Sequence, residues 1–382
     1  MCALKRGKLK QIHARLIAIN IKSNSTIVCL YEGEENIFTE NIWYSNQEMK
    51  QCSTTGQQVN LRYKSILEVL KSKKLYTDEI EGIVCKGCLI EKCSSGTYVV
   101  DHNLKASFSE IDLNAKFTEE QLLIMGPLIA YEFYEKHHVN GYMINTVNID
   151  EMIPVAKYTG IESIKRDSFF NALTQKSVAK RFCDKHGKRY DEINLIVAYL
   201  GNRITVGAHK NGKVIDVNNI AEGEGPFSPE RAGSIPITEL LKMCFSGNLT
   251  YEEIEEFMEN KGGCVAYFDN SDFRVLVDSM QKGNDEAELL FNAMAYNICK
   301  EIGRCAVALE GHVYAILLTG RIAHCRAMVD YIKNKVVHLA PVHVYAGKEE
   351  MTNLVEEALR VIRGEEKEKI CKTHRGINEK LN

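Results

Sequence analysis

The 382-residue chain has almost no net charge: 48 Lys and Arg stand against 51 Asp and Glu, a balance of −3. That balance excludes a sequence-wide attraction to nucleic acid or to an anionic membrane, so a charged partner has to be recognised locally. Long apolar runs are missing as well. The longest stretches, such as Ile193 to Leu200 and Val313 to Leu318, fall well short of the roughly 18 residues a membrane span needs. Only six prolines occur, three of them (Pro226, Pro229 and Pro236) in one segment, which leaves few obvious linkers. No secretory signal precedes the 13 cysteines, which are odd in number and scattered from Cys2 to Cys371. They read as thiols of a reduced, cytoplasmic interior and not as a disulfide framework.

At 45% hydrophobic and 26% charged residues, a chain of this length builds ordinary cores in about two or three globular units. Residues 1–15 carry Lys5, Arg6, Lys8, Lys10 and Arg15 with no apolar segment between them, and read as a solvated basic leader with targeting as a second possible role. An apolar strand spans Leu16 to Asn20, a polar turn Ile21 to Ser25, a second strand Thr26 to Tyr31 and a third Ile37 to Tyr44. About 180 residues later the pattern returns as Asn194 to Leu200, Thr205 to His209 and Lys213 to Val217, with tight turns between. This self-similarity implies two related α/β domains. Apolar spacing of three and four predicts helices over Asn60 to Lys71, Glu119 to His137, Ser168 to His186, Thr238 to Phe245, Asp285 to Gly303 and Met351 to Arg363.

One segment fits neither a strand nor a helix. Asp216 to Gly233 holds Gly223, Gly225 and Gly233, Pro226 and Pro229, and the polar groups Asp216, Asn218, Asn219, Glu222, Glu224 and Arg231. An irregular backbone dense in polar side chains carries a site, or is a structural loop whose Asn and Asp cap its own turns.

This segment resembles the corresponding stretch of butyrate kinases, members of the acetate and sugar kinase, heat-shock chaperone and actin superfamily. So do Pro127 to Glu132, Phe170 to Lys176, Val206 to His209, Lys261 to Tyr267, Asp272-Phe-Arg274, Ala293 to Tyr296 and Leu359 to Gly364, in the same order. The resemblance runs from about Arg15 to about Glu366. It implies an α/β fold of two actin-like (ribonuclease H-like) lobes with a central cleft: residues 16–150 plus 351–375 in the first, 151–350 in the second, and a frayed tail over 376–382. It also implies transfer of the γ-phosphoryl of ATP to butanoate or a similar short-chain carboxylate, with Mg2+, in a homo-oligomer, with no nucleic-acid or membrane partner.

The site positions depart from the family pattern. The first turn, Asn-Pro-Gly-Ser-Thr-Ser-Thr-Lys in the family, reads Asn20-Ile-Lys22-Ser23-Asn-Ser25-Thr26-Ile27. His-Met-Gly-Gly-Gly has become Tyr199-Leu-Gly201-Asn202-Arg203, and Thr-Gly-Gly has become Thr319-Gly320-Arg321. Each turn exchanges a glycine for a cation. Those side chains either fill the space of the phosphates and nucleoside or bind an anion directly. By the resemblance, Ser23, Ser25, Thr26, Gly201, Asn202, Arg203, Asp272, Arg274, Gly320 and Arg321 are nucleotide positions, and Asn20 and Glu350 are metal positions. Arg231 is the retained transition-state cation. Lys86 stands for an arginine, Asn145 for an aspartate, and Gln121, Asn171 and Tyr199 for histidines. Losing a donor to a transferring phosphoryl group costs several kcal/mol of stabilisation.

Cys85-x-x-Cys88 with Cys93 nearby suggests zinc or redox chemistry, but no second pair or spaced histidine follows. Two readings remain: a divergent carboxylate kinase with impaired transfer, and a non-catalytic scaffold with a binding or regulatory role. Lys22, Lys86, Arg203, Arg231 and Arg321 are the local concentration of charge that the total conceals.

Overall fold

The protein, seen in a computed structural model, is described over residues 13–87, 92–118, 121–144, 149–347 and 350–371. It divides into two compact units, Met1–Ile149 with Glu349–Asn382, and Asp150–Lys348.

In the first unit β1 (Arg15–Ile21), β2 (Ser25–Glu32) and β3 (Glu35–Trp43) form an antiparallel meander. β4 (Gly82–Lys86) and β6 (Asn140–Ile144) extend it in parallel, and β5 (Thr97–Val99) closes the edge, giving the order β3-β2-β1-β4-β6-β5. α1 (Thr55–Ser72) and α2 (Leu122–His137) pack with Ile17, Ile19, Ile83 and Cys85. Side chains alternate along a strand, so Leu16, Ala18 and Val84 face the other side. They are as fully buried, on the side left for α9 (Glu350–Ile362), which packs against β1, β4 and β6.

The second unit repeats the design. β7 (Leu195–Tyr199), β8 (Thr205–Lys210) and β9 (Lys213–Val217) are an antiparallel meander, extended in parallel by β10 (Ala315–Gly320) and β11 (Val342–Ala346) in the order β11-β10-β7-β8-β9. α7 (Asp285–Ala308) and α8 (Arg326–Val336) cover Ile196, Ala198, Ile316 and Leu318 on one face. On the other, α3 (Ala172–Lys185) places Val178, Ala179 and Phe182 over Leu195, Val197, Ala315 and Leu317. Between β9 and β10 the chain inserts α4 (Ile237–Cys244), α5 (Tyr251–Glu259) and α6 (Phe273–Gln281).

Several element ends differ from the periodicity. α1 begins five residues before Asn60 because Thr54 and Gln57 form a capping box, a polar signal that an apolar stripe does not contain. α3 starts at Ala172, not Ser168, with Asn171 as its cap. α7 runs five residues past Gly303. Glu119, the expected start of α2, lies outside the described residues.

Candidate active site

In the first unit the site positions gather where β1, β4 and α9 end or begin. The β1–β2 turn closes with a backbone hydrogen bond from Lys22 to the Ser25 carbonyl, 2.9 Å. Arg62 of α1 supports it from within. Its guanidinium donates to the Ser23 and Ser25 carbonyls and to Thr26 Oγ1, each at 2.9 Å, and stacks on Tyr44 at 4.7 Å. Ser25 and Thr26 are fully buried; the Thr26 hydroxyl also accepts from Tyr44, whereas Ser25 Oγ has no partner among the described residues. Ser23 and Lys22 are exposed.

Glu350 is the hub of this set. Its Oε1 accepts from Lys86 Nζ at 2.8 Å and its Oε2 from Asn20 Nδ2 at 3.1 Å. Burial alone would push this carboxyl up, but Lys86, Asn20 and the more remote Lys22 outweigh it and hold it below the usual range. Gln121, expected at a family histidine position, turns its Oε1 to the Thr55 hydroxyl (2.6 Å) and the Thr118 amide (3.0 Å) as a local cap. Asn145 and Cys88 lie outside the described residues. Cys85 points into the core against the Tyr142 carbonyl, and burial raises its thiol. Among the described residues no three His, Cys, Asp or Glu side chains are grouped to hold a metal ion.

The second unit holds the remaining positions. Asn202 in the β7–β8 turn donates to Glu230 and accepts from Arg321 Nη2 at 3.1 Å. Arg203 is half-buried with no ion pair among the described residues. Neither Lys22, Arg203 nor Arg321 has a positive φ, and Arg321 is helical at φ −68°. The cations of these turns therefore sit in them without backbone strain. Gly201 is needed for space instead: a Cβ would lie 2.7 Å from the Tyr199 ring.

Arg231 is buried, with Nη2 3.3 Å from Glu259 of α5 and Nε without a partner among the described residues. Burial and then the Arg203 charge lower its pKa, against the pull of Glu259. It lines a cavity of about 390 Å³ shared with Glu222, Leu249, Ile254 and Met258. Asp272 caps α6 through the Arg274 amide and also clasps its guanidinium (2.6–3.0 Å), which holds the carboxyl at about 2. The Arg274 side chain is 86% exposed.

Asn171 belongs to a buried relay whose direction is fixed atom by atom. Gln175 Nε2 donates to the Thr205 carbonyl, which can only accept, so Oε1 must face His209. His209 then donates from Nε2 and accepts at Nδ1 from the Tyr190 hydroxyl, 2.7 Å. At the other end Thr205 Oγ1, already accepting from Gln175, donates to Asn171 Oδ1 at 3.1 Å.

Both readings of the 216–233 loop have a share in it. Arg166 uses all its N–H donors to tie Glu224, Asp216 and the Ala156 and Val217 carbonyls at 2.8–3.0 Å, while Asn218 bonds Val206, Ile204 and Glu224. Asp216, Asn218 and Glu224 are structural; Glu222 and Arg231 face a cavity. Periodicity does not single out Arg62 or Arg166. The one available signal is Arg62 falling on the apolar stripe Val59, Tyr63, Ile66 and Leu70.

A model of the acetokinase family matches residues 152–370. Butyrate kinases 1 and 2 of Clostridium acetobutylicum are 38% and 39% identical to the chain over 355 residues, 93% of it and 99% and 98% of their own lengths. The acetate kinase of Porphyromonas gingivalis superposes with a TM-score of 0.76 at 17% identity, over 91% of this chain and 99% of its own. That is a likeness of fold, the actin-like architecture of two lobes that the doubled strand order describes.

Proposed function

The chain belongs to the acetokinase family, and on that premise we propose that it is a cytoplasmic short-chain carboxylate kinase with weakened phosphoryl transfer. In the reaction a carboxylate oxygen of butanoate or a similar acid attacks the γ-phosphorus of ATP, the bond to the β-bridging oxygen breaks, and butanoyl phosphate and ADP leave. The supporting observation is the 38–39% identity to butyrate kinases along nearly the full length of both chains.

The chain's own groups have definite parts in this reading. Arg231 is the cation for the transferring phosphoryl group, and its Nε, without a partner among the described residues, and near neighbour Arg203 favour an anion there. Ser23, with an exposed position on the β1–β2 turn, and Asn202 and Gly201 on the β7–β8 turn are the phosphate-side groups. Ser25 and Thr26 serve from below, by shaping the turn around Arg62. A divalent metal supplies charge neutralisation in the family's reaction. Its donors here are Asn20 and Glu350, but the Lys86 ammonium already neutralises Glu350 and Asn20 presents its amide nitrogen there, so the set does not fit such an ion as it stands.

Weak transfer follows from where the replaced groups have gone. Gln121 and Asn171 spend their acceptor oxygens on Thr55, Thr118 and Thr205, and neither carries the charge of an imidazolium. The second reading, a non-catalytic scaffold, rests on the same commitments. Exposed Ile237, Leu241, Phe245, Tyr251 and Phe257 on and around α4 and α5 support the homo-oligomer that belongs to either. The test is a hydroxylamine trap for butanoyl phosphate, run beside a thermal-shift titration with MgATP. We expect saturable stabilisation and slow hydroxamate formation; a shift without product supports the scaffold, and neither signal removes nucleotide from the account.

A further inference from the structure

Glu350 has a cation on it that belongs to the chain. Lys86 ends β4, and its backbone is clamped on both sides. A Cβ on Gly126 of α2 would lie 2.7 Å from the Lys86 carbonyl, and a Cβ on Gly87 would lie 2.5 Å from both Met143 Sδ and Pro127 Cγ. With the backbone so fixed, the ammonium reaches Glu350 Oε1 at 2.8 Å, both side chains being about one-third exposed. On Oε2 the donor is the amide nitrogen of Asn20, so the Asn20 oxygen, the atom a hard cation would need, is turned away. Lys22 adds a second positive charge to the same field.

A divalent ion binds oxygen at roughly 2.0–2.6 Å. At Glu350 it would have to share the carboxylate with the ammonium on Oε1 and the amide on Oε2, and the ammonium charge repels it. We propose that Lys86 is a tethered counter-cation that competes with divalent metal for Glu350, so that this position stays charge-neutralised without a bound ion. The choice of Asn20 and Glu350 as metal positions rests on the acetokinase reading; the competition itself rests on the contacts of Lys86, Asn20 and Glu350.

The experiment is a titration of full-length protein with Mn2+ alone, without nucleotide, followed by the loss of the free-ion electron paramagnetic resonance signal. The wild-type chain should bind weakly at this position. Lys86→Gln, which removes the charge while keeping a polar side chain, should bind Mn2+ at least about tenfold more tightly. Adding Glu350→Gln should abolish the gain. Lys86→Met provides the same test should the glutamine variant fail to fold, with circular dichroism reporting on folding. Equal Mn2+ affinity in wild type and both folded variants, or a gain that persists without Glu350, overturns the proposal. Failure here is separable from failure of the kinase reading. A chain that makes butanoyl phosphate but gains no Mn2+ affinity loses only the counter-cation; one that gains affinity and makes no product loses only the kinase assignment.

Discussion

His209 is neutral in the folded protein throughout the neutral range. Burial first, and then the nearby Lys176, lower its pKa to about 3, with Glu151 partly opposing them. The unfolded chain takes up that proton near the ordinary value of about 6.5. Between those values the unfolded state binds more protons, so stability is complete above about pH 6.5 and is lost as pH falls toward 3. The slope is roughly 1 kcal/mol for each pH unit. Urea unfolding at about pH 7, 6 and 5 should show wild type losing stability faster than His209→Gln, whose amide meets Gln175 and Tyr190 without titrating. Parallel pH profiles would remove His209 as the cause. At this scale the sequence was readable for identities and not for commitments. Asn171, Gln121 and Thr26 stand out as substituted or retained polar residues, but which partner takes each oxygen depends on Thr205, Thr55 and Arg62, brought in from distant segments.

Turns and strand ends show why some elements were legible. The β8–β9 hairpin announces itself through Asn211-Gly212, both with positive φ, the two-residue turn whose twist matches its strands. β4, β6 and β10 do not, because a short buried strand lacks alternation and chooses its parallel neighbour through a crossover. Gly320 at the end of β10 is a constraint that only the fold exposes. Its φ is +90°, and a Cβ would lie 2.3 Å from the Leu200 carbonyl oxygen. That backbone cannot yield, since the Leu200 amide donates to Thr319 and its carbonyl accepts from Ile322, at 2.8 and 3.0 Å. Gly320→Ala therefore combines left-handed strain with a backbone clash. It should lower the unfolding free energy by about 3 kcal/mol or more, measured by urea denaturation. A loss under about 1 kcal/mol would mean that β10 and the β7–β8 turn can separate at little cost. Arg321, one residue on, has ordinary helical backbone, so a glycine there should be nearly silent for the fold, and its arginine has to be explained by what it touches.

The chain leaves its first unit at Ile149, builds the whole of the second, and returns at Glu349. The doubled meander makes two related units legible, whereas the assembly of one of them from two distant segments was implied only by the family resemblance. The consequences are unequal. Residues 150–348 contain both faces of their own sheet. The first unit borrows α9, which buries Met351, Leu354, Val355, Ala358 and Leu359, and joins Tyr31 to Thr352 at 3.1 Å. Beyond α9, Lys369 pairs its backbone with Thr97 and Val99, both at 2.8 Å. Buried apolar side chains are worth roughly 2 kcal/mol each, so removing that set forfeits an amount comparable with the 5–15 kcal/mol that stabilises a typical domain. Expressed alone, 150–348 should give a cooperative urea transition by circular dichroism. Residues 13–149 alone should not, and should gain one when 350–371 is joined to them through a flexible linker. Cooperative folding of 13–149 without that segment would show that α9 covers a sheet already stable, leaving Glu350 as the reason the chain returns.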